Sequence, residues 1–177
     1  MKYVIVSFRC TSEITGMGLR FKDQSYGGCF FVTTSFHEHT RLEDILGVYE
    51  ALAKSLIFCI EKYKAALPAY VFMPSHIHLL IMIDGDELAG FMRDFKKFIA
   101  QKSLPERGWV GDLAWQTGYD RVVVSSERVF RRKLTYIQRN PVRAGLCRRE
   151  DEWLWSSAGA YLNDHEGPVP VWTDWQF

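Results

Sequence analysis

Three features of the sequence predict an α+β sandwich. Runs rich in aromatic and β-branched residues, the composition of strands, occur at 29–36, 69–73 and 76–83. Apolar residues recur at three- and four-residue spacing in 42–66, 87–102 and 126–139, the period of amphipathic helices. The two kinds of segment interleave along 177 residues, enough chain for one domain with a real core. One helical layer is expected to cover one face of the sheet and leave part of the other for a site.

Each element has its own local reason. Residues 3–8 read as a short strand, and Gly16, Gly18, Gly27 and Gly28 mark loops beyond it. Residues 29–36 read as the next strand. In 42–66, Ile45, Val48, Leu52, Leu56, Ile60 and Tyr63 share one helical stripe, and Leu67-Pro68 ends it. Residues 69–73 and 76–83 are extended around Pro74-Ser75, and Asp84-Gly85-Asp86 is a turn. Residues 87–102 form a basic helix that buries Leu88, Phe91, Met92, Phe95 and Ile99. Residues 104–120 are loop-like, rich in Gly and Trp, and 121–124 is a short strand. Ser125 or Ser126 caps a last helix running to about residue 139; Pro141 perturbs it and Gly145 stops it.

Composition narrows the function classes. Hydrophobic residues at 47% and charged residues at 24% exclude a disordered chain. The apolar runs are too short to span a bilayer, and the first residues lack a signal-peptide pattern, so the expected location is the cytoplasm, away from any membrane. Cys10, Cys29, Cys59 and Cys147 are widely spaced, as suits reduced structural thiols. The net charge of +1 hides an asymmetry. Residues 91–149 hold 14 Lys/Arg against 5 Asp/Glu, and the remainder 8 against 16. Such a basic segment attracts phosphates.

Two stretches carry chemistry. In Pro74-Ser75-His76-Ile77-His78-Leu79-Leu80 the two histidines lie one residue apart on a strand, so their rings share a face. They can converge on one cation or merely hydrogen-bond within a core. Two imidazoles leave most coordination positions open, which suits Mg²⁺ or Mn²⁺ better than a closed zinc site. His37-Glu38-His39 has the same spacing but leads into polar residues and reads as loop surface.

The second stretch is Tyr136-Ile137-Gln138-Arg139-Asn140-Pro141-Val142-Arg143-Ala144-Gly145-Leu146. On a helix, Arg132, Lys133, Arg139, Asn140 and Arg143 lie three, four or seven positions from Tyr136, while Phe130, Leu134 and Ile137 form a separate apolar stripe. A tyrosine at that edge is a packing residue, a base-stacking platform or a nucleophile helped by nearby cations. Asn140 is either a metal ligand or a helix-end cap ahead of Pro141.

These motifs resemble those of the REP-associated tyrosine transposases, single-tyrosine enzymes of the His-hydrophobe-His (HUH) superfamily related to the IS200/IS605 transposases. Residues 69–80 look like that family's metal strand and 114–124 like its link into the nucleophile helix. Residues 136–146 are similar to its most recognisable motif, and Trp153-Leu154-Trp155-Ser156-Ser157 to the tryptophan/serine element that follows. The resemblance covers about 27–161 of a single domain 1–177, with 1–26 an N-terminal extension and 162–177 a tail. Ser75 stands where many relatives carry Asn, a change expected to leave ligation untouched.

The resemblance implies a ferredoxin-like α+β fold, an antiparallel sheet with helices packed mainly on one face. It implies His76, His78 and Asn140 as ligands of Mg²⁺ or Mn²⁺ and Tyr136 as the nucleophile. The implied substrate is single-stranded DNA folded into REP-like hairpins, cut and rejoined through a 5′-phosphotyrosine. Arg132, Lys133, Arg139, Arg143, Lys96 and Lys97 are the expected DNA contacts, with Trp109, Trp115 and Tyr119 as stacking candidates. The sequence holds no phosphate-binding Gly-x-x-x-x-Gly-Lys-Ser/Thr loop, so no nucleoside triphosphate is expected. The partner is DNA, and the protein is a monomer or a homodimer. Competing readings are a hairpin-binding protein without catalysis, a replication-initiator or relaxase-like nickase, and an unrelated metal hydrolase.

Overall fold

The computed structural model describes residues 28–43, 45–106 and 114–175. The expected strand at 3–8, and Trp109, lie outside them. Four strands, β1 (Cys29–Ser35), β2 (Ala66–Phe72), β3 (His76–Met82) and β4 (Asp120–Val123), form one antiparallel sheet in the order β2-β3-β1-β4. Helix α1 (Val48–Tyr63) follows β1, and α2 (Leu88–Phe98) follows β3. A π-helical stretch, Ile99–Ser103, and a short α3 (Leu104–Glu106) continue α2, while α4 (Glu127–Arg143) and α5 (Ala158–Leu162) follow β4. This strand order with helices after β1 and β3 is the expected ferredoxin-like arrangement.

Alternation along the strands makes two different faces. Phe30, Val32, Ile77, Leu79 and Ile81 pack under α1 and α2 in the larger core. Cys29, Phe31, Leu80 and Met82 face the other way, against Phe130, Leu134 and Ile137 of α4. The second face is therefore only partly open. The five residues expected to point inward from α2, Leu88, Phe91, Met92, Phe95 and Ile99, are all fully buried.

Local chemistry shifts two expected boundaries. Helix α1 starts six residues late because Gly47, at φ 75, interrupts the stripe. Leu42 and Ile45 belong to a turn that packs on the core, with Leu42 N–H donating to Pro74 O at 3.0 Å. Lys64, at φ 50, ends α1 before the expected Leu67-Pro68, and β2 begins at Ala66 with a register shift across Pro68. Proline is tolerated there because β2 is an edge strand.

Helix α4 runs on to Arg143 through Pro141 instead of ending near 139. Pro141 is buried, so its packing offsets the one backbone bond it cannot donate. Gly145, at φ 72, then closes the helix as expected: its N–H reaches Val142 O and the Leu146 N–H reaches Pro141 O. At the other end, Ser126 accepts from the Val129 N–H. The free edge of β2 is covered by the tryptophan/serine element. Phe72 N–H donates to Trp155 O at 2.9 Å, and Ser157 N–H to Tyr70 O at 3.0 Å.

Candidate active site

Strand β3 places His76 and His78 on the α4 face with ring centroids 4.8 Å apart. Both rings are oriented by neighbours. Thr33 Oγ1, on the residue paired with His78 across β1, lies 2.9 Å from His78 Nδ1. Ser75 Oγ lies 3.1 Å from His76 Nδ1. In the tautomer that donates Nδ1–H to these hydroxyls, each ring presents the Nε2 lone pair.

His78 is 4% exposed, and its Nε2 is buried without a hydrogen-bond partner. A buried acceptor left unpaired costs free energy, which a bound cation would recover. Burial, then the nearby His76 and Lys133, push the His78 pKa down to about 3. Burial, with His39 adding to it, also lowers that of His76. Both imidazoles are held in the neutral form that metal ligation needs. Among the described residues no three His, Cys, Asp or Glu side chains cluster as ligands. The donor set therefore fits an open divalent site of two imidazoles, not a closed structural zinc.

Tyr136 comes from α4 to meet this pair. Its ring centroid lies 5.2 Å from that of His78, at 70°. Phe31 of β1 stacks on His78 at 5.3 Å and meets Tyr136 edge-on at 5.8 Å, fixing both rings. Tyr136 remains 36% exposed, so its ring is open to solvent. Lys133, one turn earlier, stands 3.9 Å over the Phe31 ring and 5.9 Å from the Tyr136 ring. Asn140 lies one turn beyond Tyr136, half-buried and inside the helix, so it is not the helix-end cap.

A Haemophilus influenzae protein provisionally described as a REP-associated tyrosine transposase is 24% identical over 148 residues, 77% of this chain and 82% of its own. The structure of a REP-associated tyrosine transposase bound to a REP hairpin superposes with a TM-score of 0.65 at 19% identity, covering 94% of this chain and 95% of that one. This chain is similar to the REP-associated tyrosine transposases in sequence and shares their fold. No family model matches it. A provisionally described transposase from Deinococcus radiodurans R1 is 20% identical over 71% of this chain and 95% of its own, with a TM-score of 0.45, too distant to bear on the argument.

The basic residues expected to contact DNA fall into distinct environments. Arg132, Arg139 and Arg143 are exposed along α4, and Arg139 also pairs with Glu150 at 3.5 Å. Lys133 is drawn into the His–Tyr cluster. Lys97 is exposed on α2, on the opposite side of the sheet. Lys96 is used internally, donating to Gln116 O at 2.8 Å and Gly118 O at 2.7 Å.

His37–His39 is a 3₁₀ turn after β1, with Glu38 and His39 exposed. Sequence reasoning missed Thr33 and Phe31. Their alternation in β1 put them on one face, but nothing local says that β1 pairs with β3 in the register Thr33↔His78. The tail packs on β2 and α4: Trp172 N–H donates to Leu67 O at 3.0 Å, and the Trp175 ring meets Phe130 at 4.3 Å. Among the described residues no helix is long and apolar enough to cross a membrane.

Proposed function

We propose that this protein is a metal-dependent single-stranded DNA strand transferase of the transposase type, acting on hairpin DNA in the cytoplasm. One observation carries the reading: Tyr136 stands 5.2 Å, ring to ring, from a buried histidine whose Nε2 has no partner. A packing tyrosine does not need a neutral, oriented histidine pair beside it. The transposase bound to a REP hairpin supports the substrate class.

His76 and His78, with Asn140 one turn from Tyr136, would hold Mg²⁺ or Mn²⁺. The ion would supply Lewis-acid charge to a bound phosphate. Tyr136 Oη loses its proton and bonds to phosphorus. The bond from phosphorus to the 3′ oxygen breaks, and that oxygen takes up a proton. A 5′-phosphotyrosine results, and a 3′-hydroxyl can reverse the step, so no nucleoside triphosphate is consumed. Phe31 holds the tyrosine ring in place. Lys133 places a positive charge 5.9 Å from the Tyr136 ring, beside the point where the phosphate would be attacked. The exposed Arg132, Arg139 and Arg143 grip the backbone of the strand.

Covalent trapping tests this directly. Labelled single-stranded hairpins with flanking sequence are mixed with protein in Mn²⁺ or EDTA and resolved under denaturing conditions. The expected result is an adduct that requires metal and vanishes in Tyr136→Phe, while hairpin binding persists. An adduct undiminished in Tyr136→Phe would reject the nucleophile. Tight hairpin binding with no adduct would favour a non-catalytic hairpin-binding protein.

A further inference from the structure

The histidine pair of β3 has two ends, and they are flanked differently. Tyr136 packs on His78 at 5.2 Å and meets Phe31 edge-on at 5.8 Å. Phe31 pairs with Leu80, beyond His78 on the side away from His76. The tyrosine therefore stands at the His78 end. The His76 ring, 4.8 Å from that of His78, forms the other end.

The turn after β1 lies at that other end. Ser35 pairs with His76, and the chain beyond Ser35 is tied to the two residues that precede His76. Phe36 N–H donates to Ser75 O and Leu42 N–H to Pro74 O, each at 3.0 Å. Between these ties Glu38 and His39 have φ values of 49 and 54, two successive non-glycine residues in the left-handed region. That backbone costs free energy and persists only where its surroundings impose it. Here His39 N–H donates to Phe36 O at 3.1 Å, and the Thr40 N–H and hydroxyl both reach His37 O, at 2.9 and 2.7 Å. His37 Nε2 lies 3.9 Å from the Glu38 carboxylate, while His39 is exposed. His39 is also felt at the site: after burial, its charge is the second cause of the lowered His76 pKa.

In-line displacement puts the attacking and leaving oxygens on opposite sides of phosphorus. With Tyr136 at the His78 end, a phosphate seated at the pair turns its leaving 3′ oxygen toward the His76 end. That oxygen gains a proton in cleavage and gives one up in rejoining. Imidazole is the side chain suited to both transfers near neutral pH.

We infer that His39 is the catalytic acid and base for the 3′ oxygen, placed across the histidine pair from the tyrosine. In cleavage the bond from phosphorus to the 3′ oxygen breaks with its electron pair on oxygen. The protonated His39 ring gives that oxygen a proton and becomes neutral, and the Tyr136 proton passes to solvent. In rejoining, neutral His39 takes the proton of the incoming 3′-hydroxyl as its oxygen bonds to phosphorus. Tyr136 Oη leaves and takes up a proton from solvent. The inference rests on the strand-transferase reading and adds to it the proton carrier for one of the two oxygens.

The test compares full-length wild type with His39→Asn, since asparagine tolerates the left-handed backbone. Adduct formation is followed in Mn²⁺ under single-turnover conditions. The substrates are a flanked single-stranded hairpin with oxygen, or with sulfur, at the 3′ bridging position of the linkage that the wild type cuts. A thiolate leaves without being protonated, so the sulfur substrate needs no acid. The variant should be slower by about 100-fold or more on the oxygen substrate and close to the wild-type rate on the sulfur substrate. Its Tm and its Mn²⁺ affinity by calorimetry should match the wild type. Equal slowing on both substrates, or no slowing on the oxygen substrate, would overturn the assignment. Lost Mn²⁺ affinity would overturn it too, by making His39 a ligand. In each of these cases the wild type still forms its adduct and the strand-transferase reading stands. A wild type that forms no adduct on either substrate would overturn both readings.

Discussion

The two faces of the sheet are made from alternate residues of the same strands, yet they are finished differently. Beneath α1 and α2, Ile77, Leu79 and Ile81 are fully buried, and the buried Ser55 hydroxyl donates to Phe95 O at 3.1 Å. That face does contain unpaired hydroxyls, on Thr34 and Tyr49. Burial and the nearby Glu43 push the Tyr49 pKa up to about 12, so it stays neutral. Beneath α4 the unpaired atom is a histidine ring nitrogen, His78 Nε2, set beside a second imidazole, a half-exposed tyrosine and a partly desolvated lysine. An orphaned hydroxyl on the first face is a small cost within a large core. On the second face the orphan belongs to a cluster of two imidazoles, a tyrosine and a lysine, and that combination marks the candidate site.

The comparison can be broken most strongly from the dry side. Leu52→Ala in α1 should cost about 2–5 kcal/mol, the usual range for a fully buried leucine, measured by urea unfolding. The folded fraction should still cleave. If cleavage by correctly folded protein collapsed as well, the two faces would not be independent.

His78→Leu tests the other side. It should raise the stability of the metal-free protein at neutral pH by about 1 kcal/mol, because it removes the unpaired buried nitrogen. It should also abolish any rise in Tm on adding Mn²⁺. The variant should change the acid response too. His78 has a folded pKa near 3 against about 6.5 in the unfolded chain. Between those values the unfolded state binds a proton that the folded state refuses. The contribution is therefore complete above about pH 6.5 and is lost as the pH falls toward 3. Wild type should lose Tm across that window more steeply than His78→Leu; parallel curves would contradict the burial of a neutral ring.

Thr33→Val keeps the shape of the side chain and removes the partner of His78 Nδ1. Metal affinity, read by calorimetry, should fall roughly 10- to 100-fold with little change in Tm. An unchanged affinity would mean that packing alone orients the ring. The smallest expected effect separates two roles for Lys133. Lys133→Met should slow single-turnover cleavage about tenfold, one charge's worth of stabilisation, with hairpin affinity nearly preserved and partial recovery in Lys133→Arg. Lost affinity at an unchanged rate would return Lys133 to the phosphate-gripping set.

Much of this was legible one segment at a time. The spacing of Leu88, Phe91, Met92, Phe95 and Ile99 defined the buried stripe of α2, since helical period depends only on neighbours along the chain. The single residue between His76 and His78 put both rings on one side of β3 whatever the strand paired with. Boundaries were less secure where one backbone conformation overruled the pattern, as at Gly47, or where tertiary packing retained a proline, as at Pro141. Lys96 and Lys133 looked alike in sequence as phosphate contacts. The fold gave one to a turn's carbonyls and drew the other toward the His–Tyr cluster.

By itself, then, the sequence determined which segments are strands and helices, which side chains share a face, and which residue types are available for metal and phosphate chemistry. Only the tertiary structure decided the order β2-β3-β1-β4, the contact between Thr33 and His78 across 45 residues of chain, and the approach of Tyr136 to His78. Periodicity is a property of neighbouring bonds and survives in any window of the chain. Strand register and helix docking are set by the joint burial of distant side chains, and no window of the sequence contains both partners.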